Sequence, residues 1–231
     1  MQSFQLVSLV ALAAAVAACP VHYLLMARRQ PHPGLGECRV RRYNAWERLV
    51  HLALLASFLV LAWTGFYAAI GWGGPMKGYM LMVHTTAGAV FAVSVGAMLL
   101  TWAADHAFAR GDGRWLAQCG CAAGDKAPPA GRFDAGEKAY FWIAGLTTLV
   151  ALLSMLLSMV PLLDTAGQRL MYQVHRYDTL ILVVATIWHA YTTTLAKPGT
   201  WRSLVSGRVS SAWIQRYHPL WGKGAQPPAR I

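Results

Sequence analysis

The sequence predicts an all-α integral membrane protein, and three observations carry that prediction. Of its 231 residues, 56% are hydrophobic and only 13% charged, and mean hydropathy is positive, values well away from ordinary globular usage. Five apolar runs recur, roughly Phe4–Met26, Ala45–Ile70, Tyr79–Ala103, Ala139–Leu163 and Leu170–Ala196, each close to the ~20 residues a spanning helix needs. Strand periodicity is absent, and no repeat of roughly 20–50 residues is found. Ten tryptophans and nine tyrosines suit a chain with two membrane–water interfaces.

The runs divide the chain. Residues 1–27 form an extra N-terminal transmembrane helix, 28–42 a basic linker, 43–196 a four-helix core with a loop over 104–138, and 197–231 a polar tail. The first run contains "AVAACP" (15–20), which resembles a processing site around Cys19. No lysine or arginine precedes it, as a secretory leader requires, so it is read as a retained helix. "GWGGP" (71–75) and "PLLDTAGQ" (161–168) make two short turns, and "GDGRWLAQCGCAAGDKAPPAGRFDAGEK" (111–138) a longer polar loop.

Charge sets the topology. Arg28, Arg29, Arg39, Arg41 and Arg42 join the first run to the second; Arg110, Arg114, Lys126, Arg132 and Lys138 flank the long loop; Lys197, Arg202, Arg208 and Arg216 follow the last run. The two short turns contribute only Lys77 and Arg169. The positive-inside bias predicts five spans with the N-terminus outside and the C-terminus cytoplasmic. A net charge of +11 could indicate nucleic acid, but no separate basic domain exists. The clusters are read instead as topology signals and as partners of lipid headgroups or cofactor carboxylates.

Four of the eight histidines, His51, His84, His175 and His189, lie within the spans after Arg42. His175 and His189 stand fourteen residues apart, about 40° short of four turns and roughly 21 Å along one helix. Each of the four is six or seven residues from its nearest span end or flanking cation, about 10 Å of rise. Depth alone therefore pairs His51 with His189 on the inner side and His84 with His175 on the outer side. Two imidazoles facing each other in a helical bundle can ligate a b-type haem from both sides. A lone histidine in a membrane helix more often bonds a neighbouring carbonyl or faces a polar cavity; four matched in depth favour haem. Zinc would need its ligands to converge on one point, which rings 21 Å apart on one helix cannot do. Gly65, Gly88 and Gly96 leave gaps in side-chain volume that a flat macrocycle or a close helix neighbour can use.

"RYNAWERLVHLALLASFLVLAWTGF", "HTTAGAVFAV", "FDAGEKAYFW" and "HRYDTLILVVATIWHAYTTTLAKPGTW" resemble the cytochrome b (gamma) subunit of membrane-bound formate dehydrogenases. The wider group holds the cytochromes b of thiosulfate reductases and nickel–iron hydrogenases. The resemblance runs from about Arg41 to Trp201 and implies a bacterial inner-membrane protein in which four helices hold two stacked b haems. It implies that His84 and His175 ligate the outer haem and His51 and His189 the inner one. It further implies a periplasmic iron–sulfur subunit with its catalytic subunit as partners, and reduction of a quinone (menaquinone or ubiquinone) beside the inner haem. The family's quinone segment reads Asn-Ala-Gly-Gln-Lys; here it is "DAGEK", with Asp134 and Glu137 in place of amides. Asp134, Gly136 and Glu137 are therefore the candidate quinone residues. Gly136 lets a ring approach the backbone, and the two acids serve either as proton carriers or as helix N-terminal carboxylates with Asp134 as cap.

Weaker signals complete the reading. "CGC" (119–121), with Cys38 on the same side, could make a small metal site, although thiols in a reducing cytoplasm need no role. His22, His32, His106 and His218 are read as interfacial or solvated. Arg42 and Arg48 inside, and Lys77, Arg169 and Arg176 outside, are candidate partners of haem propionates. The chain carries no site for a primary substrate. Two alternatives stand beside the main reading: a quinol-oxidising cytochrome of a thiosulfate- or polysulfide-type reductase or hydrogenase, and a haem-free anchor or proton-coupled transporter.

Overall fold

In the computed structural model, which describes residues 2–29, 36–38, 40–118 and 128–224, the protein is built almost entirely of helices. Five among the described residues are long and apolar enough to cross a membrane. They are α1 (Gln2–Leu25), α2 (Ala45–Phe66), α3 (Gly78–Trp102), and, after the short α4 (Asp112–Ala117), α5 (Ala135–Met159) and α6 (Thr165–Tyr191). Two spans end in π-turns, Tyr67–Trp72 after α2 and Thr192–Ala196 after α6. The fold class read from composition is the observed one. Two sequence-read runs are displaced: α5 begins and ends four residues before Ala139–Leu163, and α6 begins five before Leu170. Caps, not hydropathy, decide those starts.

The caps are identifiable. Asn44 Oδ1 accepts from Glu47 N at 2.8 Å, and Glu47 Oε2 accepts from Asn44 N at 2.7 Å. Asp134 Oδ1 accepts from Glu137 N at 2.9 Å, and Glu137 Oε2 accepts from Asp134 N at 3.0 Å. These are reciprocal capping boxes that satisfy orphan donors at the starts of α2 and α5. Asp164 Oδ1 takes the Gly167 N–H at 2.7 Å and starts α6 in the same manner. Within the spans, hydroxyls bond back to carbonyls one turn earlier, as in Ser57 to Ala53, Ser94 to Val90 and Thr148 to Ala144. Polar atoms at membrane depth thereby find partners inside their own helix.

The chain forms two compact units. The first is Met1–Val16, Leu49–Thr101 and Trp142–Ile187; the second is Ala17–Arg48, Trp102–Phe141 and Trp188–Ile231. The first carries most of the apolar helix length and exposes large side chains freely, among them Leu100, Val93 and Met82. Water would make such a surface a liability; lipid makes it a solvation face. α1 is held within this unit by Phe4, whose ring meets Tyr177 edge-on at 5.1 Å under the Arg176 guanidinium, 3.9 Å away, and by Gln5, which donates to Ala69 O. Within the second unit, His22 Nδ1 lies 2.6 Å from Tyr191 Oη. The extra helix thus docks on α6 residues in both units.

The second unit has its own core of Val209, Trp213 and Ile214, joined by Val40, Tyr217 and Trp221. The tail, read as polar chain, folds into α7 (Trp201–Ser206), α8 (Ser211–Tyr217) and α9 (Pro219–Gly224). It also contributes β2 (Arg208–Val209), which pairs antiparallel with β1 (Val40–Arg41), Val40 opposite Val209. The ladder turns at Gly207, whose φ is +74° and whose carbonyl accepts from Arg42 N and Tyr43 N at 2.8 and 3.0 Å.

A side chain at position 207 meets both strain and collision, since an added Cβ lies 2.6 Å from the Tyr43 carbonyl oxygen. Gly207→Ala is expected to destabilise the protein by about 1–3 kcal/mol, from the left-handed backbone and the displaced carbonyl. Thermal unfolding in detergent measures it; an unchanged midpoint contradicts the role of this turn.

Candidate functional site

The outer histidine pair lies wholly within the first unit. His84 stands on α3 and His175 on α6. His84 Nδ1 is 2.7 Å from Thr64 Oγ1, whose own proton goes to the Val60 carbonyl at 2.7 Å. The threonine oxygen therefore accepts from the ring. His175 Nδ1 lies 2.9 Å from the Ala151 carbonyl, which can only accept. Both imidazoles are fixed as the Nδ1–H tautomer, with the Nε2 lone pair left to ligate. This is the arrangement that outer-shell partners impose on metal-binding histidines. A Cβ at Gly65 would stand 3.5 Å from His84 Cε1, and one at Gly96 would meet nothing within 4 Å. Donor set and space fit bis-imidazole ligation of a haem iron.

The inner residues are divided between the units. His51, on α2, belongs to the first and is partly buried. His189 belongs to the second, where its ring stacks on Tyr140 at 4.0 Å with only 10° between planes. Its carbonyl accepts from Thr192 and Thr193 at 3.0 and 2.8 Å as α6 passes into the π-turn. π-Turns recur at functional positions.

One helical turn before Tyr140 stands a buried charge cluster. Glu137 accepts from Arg42 Nη2 at 2.9 Å, and Asp134 accepts from Lys197 Nζ. Arg132 Nη2 donates to Glu47 at 2.6 Å, and Trp102 Nε1 donates to the same Glu47 oxygen at 2.8 Å. The arginines also exchange bonds to each other's backbone: Arg42 to the Arg132 carbonyl at 3.3 Å and Arg132 to the Arg42 carbonyl at 2.6 Å. Tyr43 and Phe133 stack between them at 6.4 Å. Burial works against the Lys197 ammonium, but Asp134 and Glu137 more than offset it and hold its pKa above the lysine norm. Arg42 behaves alike, desolvation being overcome chiefly by Glu137.

The order behind this cluster is a hexad written twice, Arg-Tyr-Asn-Ala-Trp-Glu at 42–47 and Arg-Phe-Asp-Ala-Gly-Glu at 132–137. Each copy caps its own helix with Asn or Asp and Glu, and each arginine crosses to the other copy's glutamate. The copies are ninety residues apart, a far longer separation than the period of a solenoid repeat.

The structure gives several sequence-named residues different surroundings. His218 and His106, read as interfacial or solvated, are buried, at 0% and 5% exposure. His106 is sandwiched between Phe133 and Phe141 at 4.0 and 4.1 Å, while His218 stacks on Trp213 at 4.6 Å and bonds Gly131 O through Nδ1 at 2.7 Å. Neutral imidazole with one satisfied nitrogen packs as an aromatic, which hydropathy does not register. Arg42, a candidate propionate partner, binds Glu137, and Arg48 donates to the Leu204 and Val205 carbonyls. Arg176 lies over Phe4. The approach to Gly136 is taken by Trp115, whose ring atoms lie 3.0 and 3.2 Å from where a Cβ would stand. Asp134 and Glu137 hold caps and cations together, so the capping alternative describes their bonds. Cys38 accepts from Arg202 at 3.5 Å; Cys119 and Cys121 lie outside the described residues, as does His32.

The fold is that of a multi-pass helical membrane protein, with two histidines whose Nδ1 atoms are engaged by acceptors within one unit. The chain belongs to the prokaryotic cytochrome b561 family, whose profile matches residues 42–207, and it is accordingly an electron-transfer protein carrying haem b. It is 26% identical over 193 residues to the cytochrome b556(fdo) subunit of formate dehydrogenase from Escherichia coli (strain K12), covering 78% of this chain and 90% of that one. To the cytochrome b556(Fdn) subunit of the nitrate-inducible formate dehydrogenase from Escherichia coli (strain K12), and to that from Shigella flexneri, it is 25% identical over 193 residues, covering 76% of this chain and 86% of theirs.

The crossed arginines generate a stability expectation. Arg42→Met leaves the Glu137 carboxylate buried without its cation and is expected to cost about 3–5 kcal/mol. Adding Glu137→Gln should recover part of the loss. A double-mutant cycle of thermal unfolding reads the coupling; strictly additive losses show that the pair does not interact.

Proposed function

We propose that the chain is the dihaem membrane subunit of a respiratory oxidoreductase in the bacterial inner membrane, exchanging electrons between a periplasmic partner and the quinone pool. The observation that carries this reading is the outer pair, His84 and His175, both anchored through Nδ1 with Nε2 left for iron. His51 and His189 hold the second haem, near the arginine-rich helix ends, which face the cytoplasm. Haem, when bound, supplies one-electron transfer; the protein supplies ligation, orientation and electrostatics. The functional core is residues 43–196, with helix 1–27 as a further anchor and 197–231 as a cytoplasmic cap.

The partner is an iron–sulfur subunit with its catalytic subunit, of formate dehydrogenase type. Similarity to formate dehydrogenase cytochrome subunits over most of their length supports that choice. The quinone is menaquinone or ubiquinone and binds beside His189 and Tyr140. Trp115 covers Gly136, while Asp134 and Glu137, in the cluster one turn before Tyr140, border the site. Their contribution is a fixed field of paired charges next to the place where a quinone gains electrons and protons.

Haem content and redox titration of the purified protein test the pairing. His84→Ala and His175→Ala are each expected to remove one and the same redox centre, and His51→Ala and His189→Ala the other. Loss of a single common centre in His51→Ala and His84→Ala overturns it. A finer expectation concerns Thr64. Its oxygen accepts the His84 Nδ1–H bond, which makes Nε2 a stronger donor to ferric iron. Thr64→Val should raise the outer haem's midpoint potential and leave the inner one in place; equal movement of both contradicts the assignment.

A further inference from the structure

The two-residue ladder between β1 and β2 sets Arg41 directly opposite Arg208. Residues opposed across an antiparallel pair turn to one face, with Cβ atoms about 5 Å apart. Val40 and Val209 take the other face, toward the core of the second unit. Arg41 and Arg208 are therefore side by side and exposed. Like charges so placed repel, and neither arginine has a carboxylate partner among the described residues. The tail offers none, since residues 197–231 hold six lysines and arginines and no acid.

Beside this pair lies a recess of about 330 Å³ lined by Arg41, Arg42, Asn44, Glu47, Arg132 and Trp221. That volume is at the small end of the range for ligand sites, roughly 300–1,000 Å³. Glu47 is the acid among them, and its oxygens are already engaged. Oε1 accepts from Trp102 Nε1 at 2.8 Å and from Arg132 Nη2 at 2.6 Å, and Oε2 accepts from Asn44 N at 2.7 Å. Arg42, its side chain 0% exposed, gives Nη2 to Glu137, while its Nε and Nη1 have no acceptor. The wall favours an anion.

Depth identifies the anion. Asn44 stands immediately before the span Ala45–Trp72, so the recess lies at the level where lipid headgroups meet water. Trp46, 54% exposed on the first turn of α2, marks the same boundary, where amphipathic rings settle. An arginine fork matches phosphate oxygens in pairs.

We propose that Arg41, Arg208 and the adjoining recess bind the phosphate of an anionic phospholipid. The phosphodiester relieves the repulsion between the two arginines while its acyl chains stay in the bilayer. Arg41, Arg132 and Arg208 come from three separate stretches of the chain, so one bound phosphate ties those stretches together. Binding here is independent of the haems and of the quinone.

Native mass spectrometry of the full chain, released from nanodiscs of mixed phosphatidylglycerol and phosphatidylcholine, counts the lipids it retains. One phosphatidylglycerol should stay on the wild-type chain under conditions that strip phosphatidylcholine, whose choline already neutralises its phosphate. Equal retention of the two lipids overturns the site. This comparison needs no variant, so it decides even where a substitution unfolds the chain. In detergent titrations, Arg41→Gln and Arg208→Gln should each weaken phosphatidylglycerol binding about fivefold, and together about thirtyfold, with the haem spectrum retained. The double variant Arg28→Gln with Arg29→Gln removes the same charge from exposed positions at the end of α1 and should keep wild-type affinity. An equal loss there shows diffuse attraction by surface charge and overturns the site. Inorganic phosphate at the concentration of the lipid should leave the lipid bound; its displacement assigns the recess to a free anion and overturns the lipid as occupant.

Discussion

A charged group at a membrane helix end must either reach water or meet its counter-charge, and the second unit is organised by that requirement. Glu47 and Glu137 cap α2 and α5, and capping turns both carboxylates inward. Arg132 and Arg42 answer them, each from the other helix's leading segment. Leaving one such carboxylate unmatched in a site of low dielectric costs more than most single packing contacts contribute. The crossed exchange therefore fixes how the start of α2 lies against the start of α5. Tyr43, Phe133 and Trp213 fill the space around Arg42, whose guanidinium carbon lies 4.8–5.3 Å from their ring centroids.

From that frame the chemistry at this end inherits its rigidity. α5, started by its capping box, presents Tyr140 to His189 as a flat platform. Lys197, at the end of the π-turn that follows His189, is drawn to Asp134, so the tail leaves α6 toward the same cluster. The two-residue ladder through Gly207 then returns the chain to Val40 and Arg41. His218 is buried because α8 and α9 close over the cluster. A span, a linker and a tail become one unit by serving the same buried charges.

In the first unit the governing requirement is hydrogen-bond satisfaction where water is absent. Thr64 and Ala151 each supply one acceptor, and with it decide which nitrogen of His84 and His175 keeps a lone pair. Apolar faces need no such matching, so they are left open to lipid. The extra helix α1 joins through Phe4, Gln5 and, in the second unit, His22. It contributes packing to α6, the helix that carries His175 and His189.

The sequence by itself determined the membrane class and the five apolar spans, because hydropathy and helical period are local properties that survive without neighbours. It offered Asp134 as the cap of α5 as one of two readings, while hydropathy placed the start of that run four residues late. Only the tertiary structure decided what Asp134 and Glu137 bind, that Trp115 covers Gly136, that Arg42 answers a carboxylate of the chain itself, and that the tail folds around His218. Each of these depends on a partner far outside the local window, from Trp115 for Gly136 to Arg42 for Glu137. A buried charge or imidazole is defined by what it meets, and no local pattern encodes the meeting.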